Sequence, residues 1–379
     1  MREVVIVEAV RAPVGKRDGK LSSVLPVHLM ARVLQALLAR AGIEPSLIED
    51  VILGCVTPMG EQGANVARLA ALQASLPAHI PAVSLNRMCG SGQQALHFAA
   101  QAIAAGDMDV VVAGGVEMMS RVPLGSDWPN EWPPDFPYDL VHQGLSAEMM
   151  AEKWRLTREE LDCFAYESHL KAAAATKRGD FAREIAPIDV TLPDGKVDTL
   201  SYDEGIRFEP NLDKMAALKP VFKETGVITA ANSSQISDGA AALLLLSAEK
   251  ANELGLKPRA RIVARYVIGD DPVLMLSAPI PATREILRRA GLRLDDVAAI
   301  EINEAFASVV LAWQKELQPD PARVNPNGGA IALGHPLGAT GAVLMTKLLH
   351  HLERTGGRYG LQTMCIGHGM ATATIIERP

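Results

Sequence analysis

The chain has 379 residues, 48% of them hydrophobic and 21% charged, with 37 basic against 44 acidic side chains and a formal net charge of −7. That length suits two domain-sized units and excludes a mini-protein held by disulfides. No apolar run approaches the roughly 18 residues of a membrane-spanning helix, and the acidic balance argues against non-specific binding to nucleic acid or to an anionic membrane.

The chain passes from Arg2-Glu3 straight into Val4-Val5-Ile6-Val7 with no leader-like pattern, so a cytoplasmic protein is expected. Strands are predicted over 3–10, 50–56, 82–88 and 110–117, alternating with helices over 27–41, 64–73 and 91–105. That βαβαβαβ order implies a parallel or mostly parallel sheet covered on both faces. From Ser120 the pattern breaks at Pro123, Pro129, Pro133, Pro134 and Pro137, with Trp128 and Trp132 among them. Helices are predicted over 145–155 and 158–178, then a polar stretch with Pro187, Pro193 and Asp194-Gly195. This segment reads as an insertion. Regular structure resumes with an apolar strand over 240–247. The alternation then restarts, with strands over 259–268 and 297–302, helices over 281–290, 305–317 and 340–355, and closing strands over 360–366 and 371–377. Two similar α/β halves are expected, with a cleft between them as the place for a site.

Cys55, Cys89, Cys163 and Cys365 are too scattered for a disulfide framework and form no C-x-x-C pair, which disfavours structural zinc as well. Cys89 sits between a predicted strand and Gly90-Ser91-Gly92 at a helix start, where free N–H groups and the helix dipole favour thiolate. The same context suits a small buried cysteine in a tight turn. His335 lies in a loop rich in glycine, Gly328 to Gly341, that lacks the ending of a phosphate-binding loop. An imidazole there can take a proton from a thiol or donate to an oxyanion. Cys365 precedes Ile366-Gly367-His368-Gly369 and reads as a second thiol exposed at a strand end, with Gly367 offering a bare N–H. Asn303 in Glu301-Ile302-Asn303-Glu304 can hold a water or orient a histidine, and Glu304 suits a helix N-terminus. One thiolate can store an acyl group as a thioester, and a second thiol can move a proton on and off the carbon beside a thioester carbonyl. The pair suits a Claisen-type reaction.

Asn86-Arg87-Met88-Cys89-Gly90-Ser91-Gly92, Asn303-Glu304-Ala305-Phe306, Gly334-His335-Pro336 and Cys365-Ile366-Gly367 together resemble the four catalytic blocks of the thiolases. The likeness extends to Val10-Arg11-Ala12-Pro13, to the segment Ala113 to Ser120, and to Asp238-Gly239-Ala240. The resemblance implies an α/β fold of two βαβαβαββ halves in a five-layer α/β/α/β/α core. It implies an N-terminal half over 1–119 and 231–250, a loop domain over 120–230 covering coenzyme A, and a C-terminal half over 251–379. It also implies Cys89 as the acylated nucleophile, His335 as its activating partner and Cys365 as the acid/base for the acetyl-CoA methyl. Asn303 would fix a water that joins His335 in one oxyanion hole, and the N–H groups of Cys89 and Gly367 would form the other. Arg207, Ser234, His142, Met275 and Phe306 match positions along the coenzyme A path. Coenzyme A and acyl-CoA are implied as substrates with no metal or redox cofactor, acted on by a homodimer or homotetramer.

Three features depart from the family pattern. His368 replaces a glycine, the 123–138 segment is rich in Pro and Trp where many relatives have a longer covering loop, and Lys214 replaces a small polar residue. Ketoacyl synthases share the broad fold, but a cysteine at position 365 is not expected in them.

Overall fold

The computed structural model describes residues 2–192 and 194–379, so Met1 and the Pro193 of the polar stretch lie outside the described residues. The N-terminal half runs β1 (Val4–Arg11), β2 (Gly15–Lys16), α1 (Pro26–Ala41), β3 (Asp50–Gly54), α2 (Val66–Gln73), β4 (Ala82–Leu85), α3 (Ser91–Ala105) and β5 (Val110–Met118). The insertion carries α4 (Gln143–Lys153), α5 (Arg158–Arg178), β6 (Ile188–Thr191), β7 (Val197–Leu200) and α6 (Leu212–Ala216). After it come β8 (Ser237–Ser247) and α7 (Ala248–Glu253). The rest is β9 (Ala260–Gly269), α8 (Pro279–Ala290), β10 (Val297–Ile302), α9 (Ala307–Leu317), α10 (Ala330–Leu333), α11 (Leu337–Thr355), β11 (Tyr359–Ile366) and β12 (Met370–Glu377).

The strands join in the order β10-β11-β12-β9-β1-β8-β5-β3-β4. Val5 opposite Arg261 and Ile6 opposite Ala260 join the two halves through β1 and β9. In the N-terminal half β3, β4 and β5 pair in parallel, as helical crossovers dictate, while β8 runs antiparallel between β1 and β5. In the C-terminal half β12 is the reversed strand, reached from β11 by a tight turn. The sheet is therefore mixed, and the reversed strands lie inside it.

Burial on both faces explains the unbroken Ala-Ala-Ala-Leu-Leu-Leu-Leu run of β8. Leu244 and Leu246 face α1 and α2, while Leu243 and Leu245 face α3 and α11 on the other side. The C-terminal half of the sheet presses Ile376 and Ala299 onto that central helical layer and turns Ile300 and Ile375 toward Ile286 of α8 and Trp313 of α9. Five layers result: α, β, α, β, α. Small residues let α3 and α11 cross closely, since a Cβ on Gly341 would lie 2.1 Å from the Gln93 nitrogen.

Regular structure also appears where the sequence offers weak signals. The β6–β7 hairpin and α6 are short, and α10 falls inside the glycine-rich loop. The insertion is fastened by a buried ion cluster in which Arg11 Nε donates to Glu184 at 2.8 Å and its terminal nitrogens donate to Asp203 at 2.6 and 2.9 Å.

Candidate active site

Cys89 stands in a turn that its neighbours hold tight. Asn86 Oδ1 accepts from the Met88 N–H at 2.7 Å, and Asn86 Nδ2 donates to the Val56 carbonyl at 2.8 Å. Ser91 Oγ accepts from the Arg87 N–H at 2.9 Å and donates to the Met88 carbonyl at 2.6 Å. These bonds keep Met88 at φ 46°, a left-handed conformation uncommon for methionine. The strand consequently ends at Leu85 and not at the predicted residue 88. The turn also presses on the Cys365 segment, because a Cβ on Gly90 would lie 2.3 Å from Ile366 Cδ1.

Burial pushes the Cys89 thiol up to about 11, against the backbone N–H groups of Gly367 and Cys89 that pull it down, with a further upward push from the Glu117 carboxylate. The sequence expectation of a favoured thiolate is corrected here: desolvation outweighs the helix start. The resting group is a thiol that needs a base. Glu117 itself is buried and accepts from the N–H groups of Val56, Thr57 and Gly338 and from Gln62 Nε2, tying the loop after β3 to the start of α11.

His335 supplies a neutral imidazole. Its Nδ1 lies 2.6 Å from Thr340 Oγ1, whose single proton goes to the Pro336 carbonyl at 2.9 Å. Thr340 must therefore accept from Nδ1–H, leaving Nε2 as the acceptor facing Asn303 Nδ2 at 3.3 Å. Burial lowers the His335 pKa to about 4, so the ring is uncharged at neutral pH with its Nε2 lone pair available. Thr340→Val strands Nδ1–H and frees the tautomer. We expect kcat to fall roughly tenfold or more, with Thr340→Ser restoring it; undiminished turnover in the valine variant contradicts the tautomer assignment. In the residue pattern Thr340 reads only as the start of a predicted helix.

Asn303 lies at the end of β10, and its N–H donates to the Thr363 carbonyl of β11 at 3.1 Å. Its Oδ1 is buried and has no hydrogen-bond partner among the described residues. Cys365 is 1% exposed inside β11, so the expectation of an exposed thiol is also corrected. The strand continues past it against β12, and Met275, Phe306 and Ile331 pack in the same cluster. Burial raises its pKa above the ordinary thiol range, and the neighbouring Cys89 raises it further. Glu304 serves the N-terminus of α10 and not that of α9, the helix that follows it in sequence. It is buried, accepting from Ser168 Oγ at 2.7 Å, Asn325 Nδ2 at 2.9 Å and the Ile331 N–H at 3.2 Å, and so joins the insertion to the C-terminal half.

Cys89 and Gly367 line a cavity of about 350 Å³ together with His142, Met275 and Leu337. Its wall includes Leu124, Trp128 and Trp132 from the segment rich in Pro and Trp, then Val141, and His368 from the turn after β11. Cys365, His335 and Asn303 do not line it. His142 accepts from the Gly144 N–H at 3.1 Å, and its ring stacks on Phe222 at 5.1 Å, which in turn meets Phe306 edge-on at 6.0 Å. Arg207 and Lys214 line a separate groove of about 430 Å³ with His169, Asn211, Met215 and Ile331. Met215 and Ile331 belong to the apolar cluster that contains Cys365 and Met275, so this cluster reaches from the groove to the cavity. Ser234 lines neither space. Its N–H donates to the Ala305 carbonyl at 2.9 Å, beside the bridge between Ser233 and Phe306. Among the described residues no group of three or more His, Cys, Asp or Glu side chains is arranged to hold a metal ion.

The thiolase N-terminal domain profile matches residues 4–249 and the thiolase C-terminal domain profile matches residues 256–378. A steroid 3-ketoacyl-CoA thiolase of Mycobacterium tuberculosis is 49% identical over 392 residues, covering 100% of this chain and 95% of that protein. A 3-ketoacyl-CoA thiolase of Vibrio vulnificus is 45% identical with both chains fully covered, and an acetyl-CoA acetyltransferase of Chromobacterium violaceum is 44% identical with the same coverage. The crystal structure of the Bacillus anthracis acetyl-CoA acetyltransferase superposes with a TM-score of 0.93 at 40% identity, covering 100% of this chain and 99% of that one. The five layers, the paired thiols and these matches agree, and the chain belongs to the thiolase family.

Proposed function

We propose that the protein is an acyltransferase that cleaves 3-ketoacyl-CoA with coenzyme A, or in reverse joins two acetyl-CoA molecules, through an acyl-Cys89 intermediate. In cleavage, the Cys89 thiol gives its proton to His335 Nε2 and its sulfur attacks the 3-keto carbon. The bond between C2 and C3 then breaks, and its electron pair leaves on C2 of acetyl-CoA, which the Cys365 thiol protonates. Free coenzyme A gives its thiol proton to the Cys365 thiolate and its sulfur attacks the acyl thioester; the C–S bond to Cys89 breaks, and the leaving Cys89 thiolate takes back the proton held on His335 Nε2. The carrying observation is that Cys89 and Gly367 line one cavity while Cys365 lies close enough to Cys89 for that thiol to oppose its ionisation. The Gly367 N–H can stabilise the oxyanion of the acyl group.

Several site assignments follow from this reading. Once it has taken the Cys89 proton, His335 Nε2–H and a water held by Asn303 Oδ1 would polarise the thioester carbonyl of acetyl-CoA. The groove with Arg207 and Lys214 suits the anionic nucleotide end of coenzyme A, with Ser234, Phe306, Met275 and His142 along the pantetheine path. Residues 120–230 would then be its covering domain. Met275, Phe306 and Ile331 must part for ligand to reach Cys365. Coenzyme A is a substrate here, and the residue chemistry calls for no further cofactor.

A homo-oligomer is supported by the sheet edge at β4, where Val83 is exposed, as are Leu69 and Leu72 of α2 and Phe98 of α3. No helix of the described residues is long and apolar enough to cross a membrane.

The test is a series of kcat/KM values for thiolysis from four-carbon to sixteen-carbon 3-ketoacyl-CoA. Coenzyme A-dependent cleavage of acetoacetyl-CoA is expected. Release of free acid in place of acyl-CoA would point to a hydrolase and contradict the proposal.

A further inference from the structure

His368 occupies the turn between β11 and β12 at φ 62°, a conformation that an imidazole-bearing residue adopts at a cost. Its side chain lines the cavity that holds Cys89 and also an adjoining space of about 140 Å³ shared with Asp127, Trp128 and Trp132. Its ring centroid lies 6.4 Å from that of Trp128 and 6.3 Å from that of Trp132. His368 Nδ1 and Asp127 Oδ1 are both buried, and neither has a hydrogen-bond partner among the described residues. The proposed acyl transfer uses neither group.

We propose that His368 and Asp127 recognise a neutral oxygen, hydroxyl or carbonyl, on a flat ring-bearing acyl group seated against Trp128 and Trp132. This inference rests on the thiolase reading and names the acyl class within it. Both indoles are 46% exposed, which leaves apolar ring faces at the cavity mouth for a flat group to cover. A plain alkyl chain would cover the same surface while leaving two buried polar atoms unpaired, and such a loss discriminates strongly between otherwise similar substrates. A carboxylate would meet the Asp127 carboxylate. A hydroxyl satisfies both partners at once, donating to Asp127 Oδ1 and accepting from the imidazole N–H, and a carbonyl satisfies the imidazole.

The experiment compares kcat/KM for two 3-ketoacyl-CoA substrates of equal chain length, one ending in phenyl and the other in para-hydroxyphenyl. Thiolysis of acetoacetyl-CoA by the unmodified enzyme is run beside them. The expected result is a preference of about tenfold for the hydroxylated substrate, collapsing to near unity in His368→Gly, which keeps the turn's backbone conformation. Equal rates on the two substrates by the unmodified enzyme overturn the proposal, as does a preference that survives in His368→Gly. Absence of acetoacetyl-CoA thiolysis would instead strike the underlying thiolase reading.

Discussion

Cys89→Ala is expected to lose roughly four to six orders of magnitude in kcat and to carry no acetyl mass after incubation with acetyl-CoA. The size follows from what the residue does. Without the sulfur there is no thioester to conserve the activation of the incoming acyl group. Cys55 cannot substitute, because burial and the nearby Glu117 carboxylate raise its pKa well above the ordinary thiol range. The fold should be unaffected, since the turn is held by Asn86 and Ser91 and not by the thiol. Intact-protein mass spectrometry checks this directly, and an acetyl adduct retained on the alanine variant refutes the nucleophile assignment.

Cys365→Ala is the complementary experiment. It should still accept an acetyl group on Cys89, because attack and oxyanion binding use other groups. It should lose exchange of the acetyl-CoA methyl protons with deuterated solvent, and thiolysis should drop by roughly three orders of magnitude, in the range of a lost general acid. Retained acetylation with abolished exchange is thus the expected signature. Undiminished exchange contradicts the role given to Cys365.

Much of this was legible in the residues themselves. Strand and helix alternation followed from β-branched runs and apolar periodicity, and Cys89, His335, Cys365 and Asn303 stood out by their glycine-rich or strand-end settings. What local pattern could not express was burial. The helix start argued for a thiolate at Cys89, but the surrounding Met88, Val56 and Leu337 remove water and reverse the sign. Cys365 looked exposed because the strand ends one residue later, whereas pairing with β12 and the Phe306 cluster enclose it. Trp128 and Trp132 read as interruptions among prolines, since a wall formed by an irregular segment has no periodicity. Thr340 was invisible for a different reason: its role is to fix a proton on a histidine, which only the three-dimensional hydrogen-bond chain reveals.

The most direct test is a crystal structure of the enzyme acetylated by acetyl-CoA with a second acetyl-CoA bound. The acetyl group should sit on Cys89 with its oxygen against the N–H groups of Cys89 and Gly367, and the methyl of the bound thioester should touch the sulfurs of both Cys89 and Cys365. An acetyl group on another residue, or a bound methyl that Cys365 cannot reach, contradicts the account.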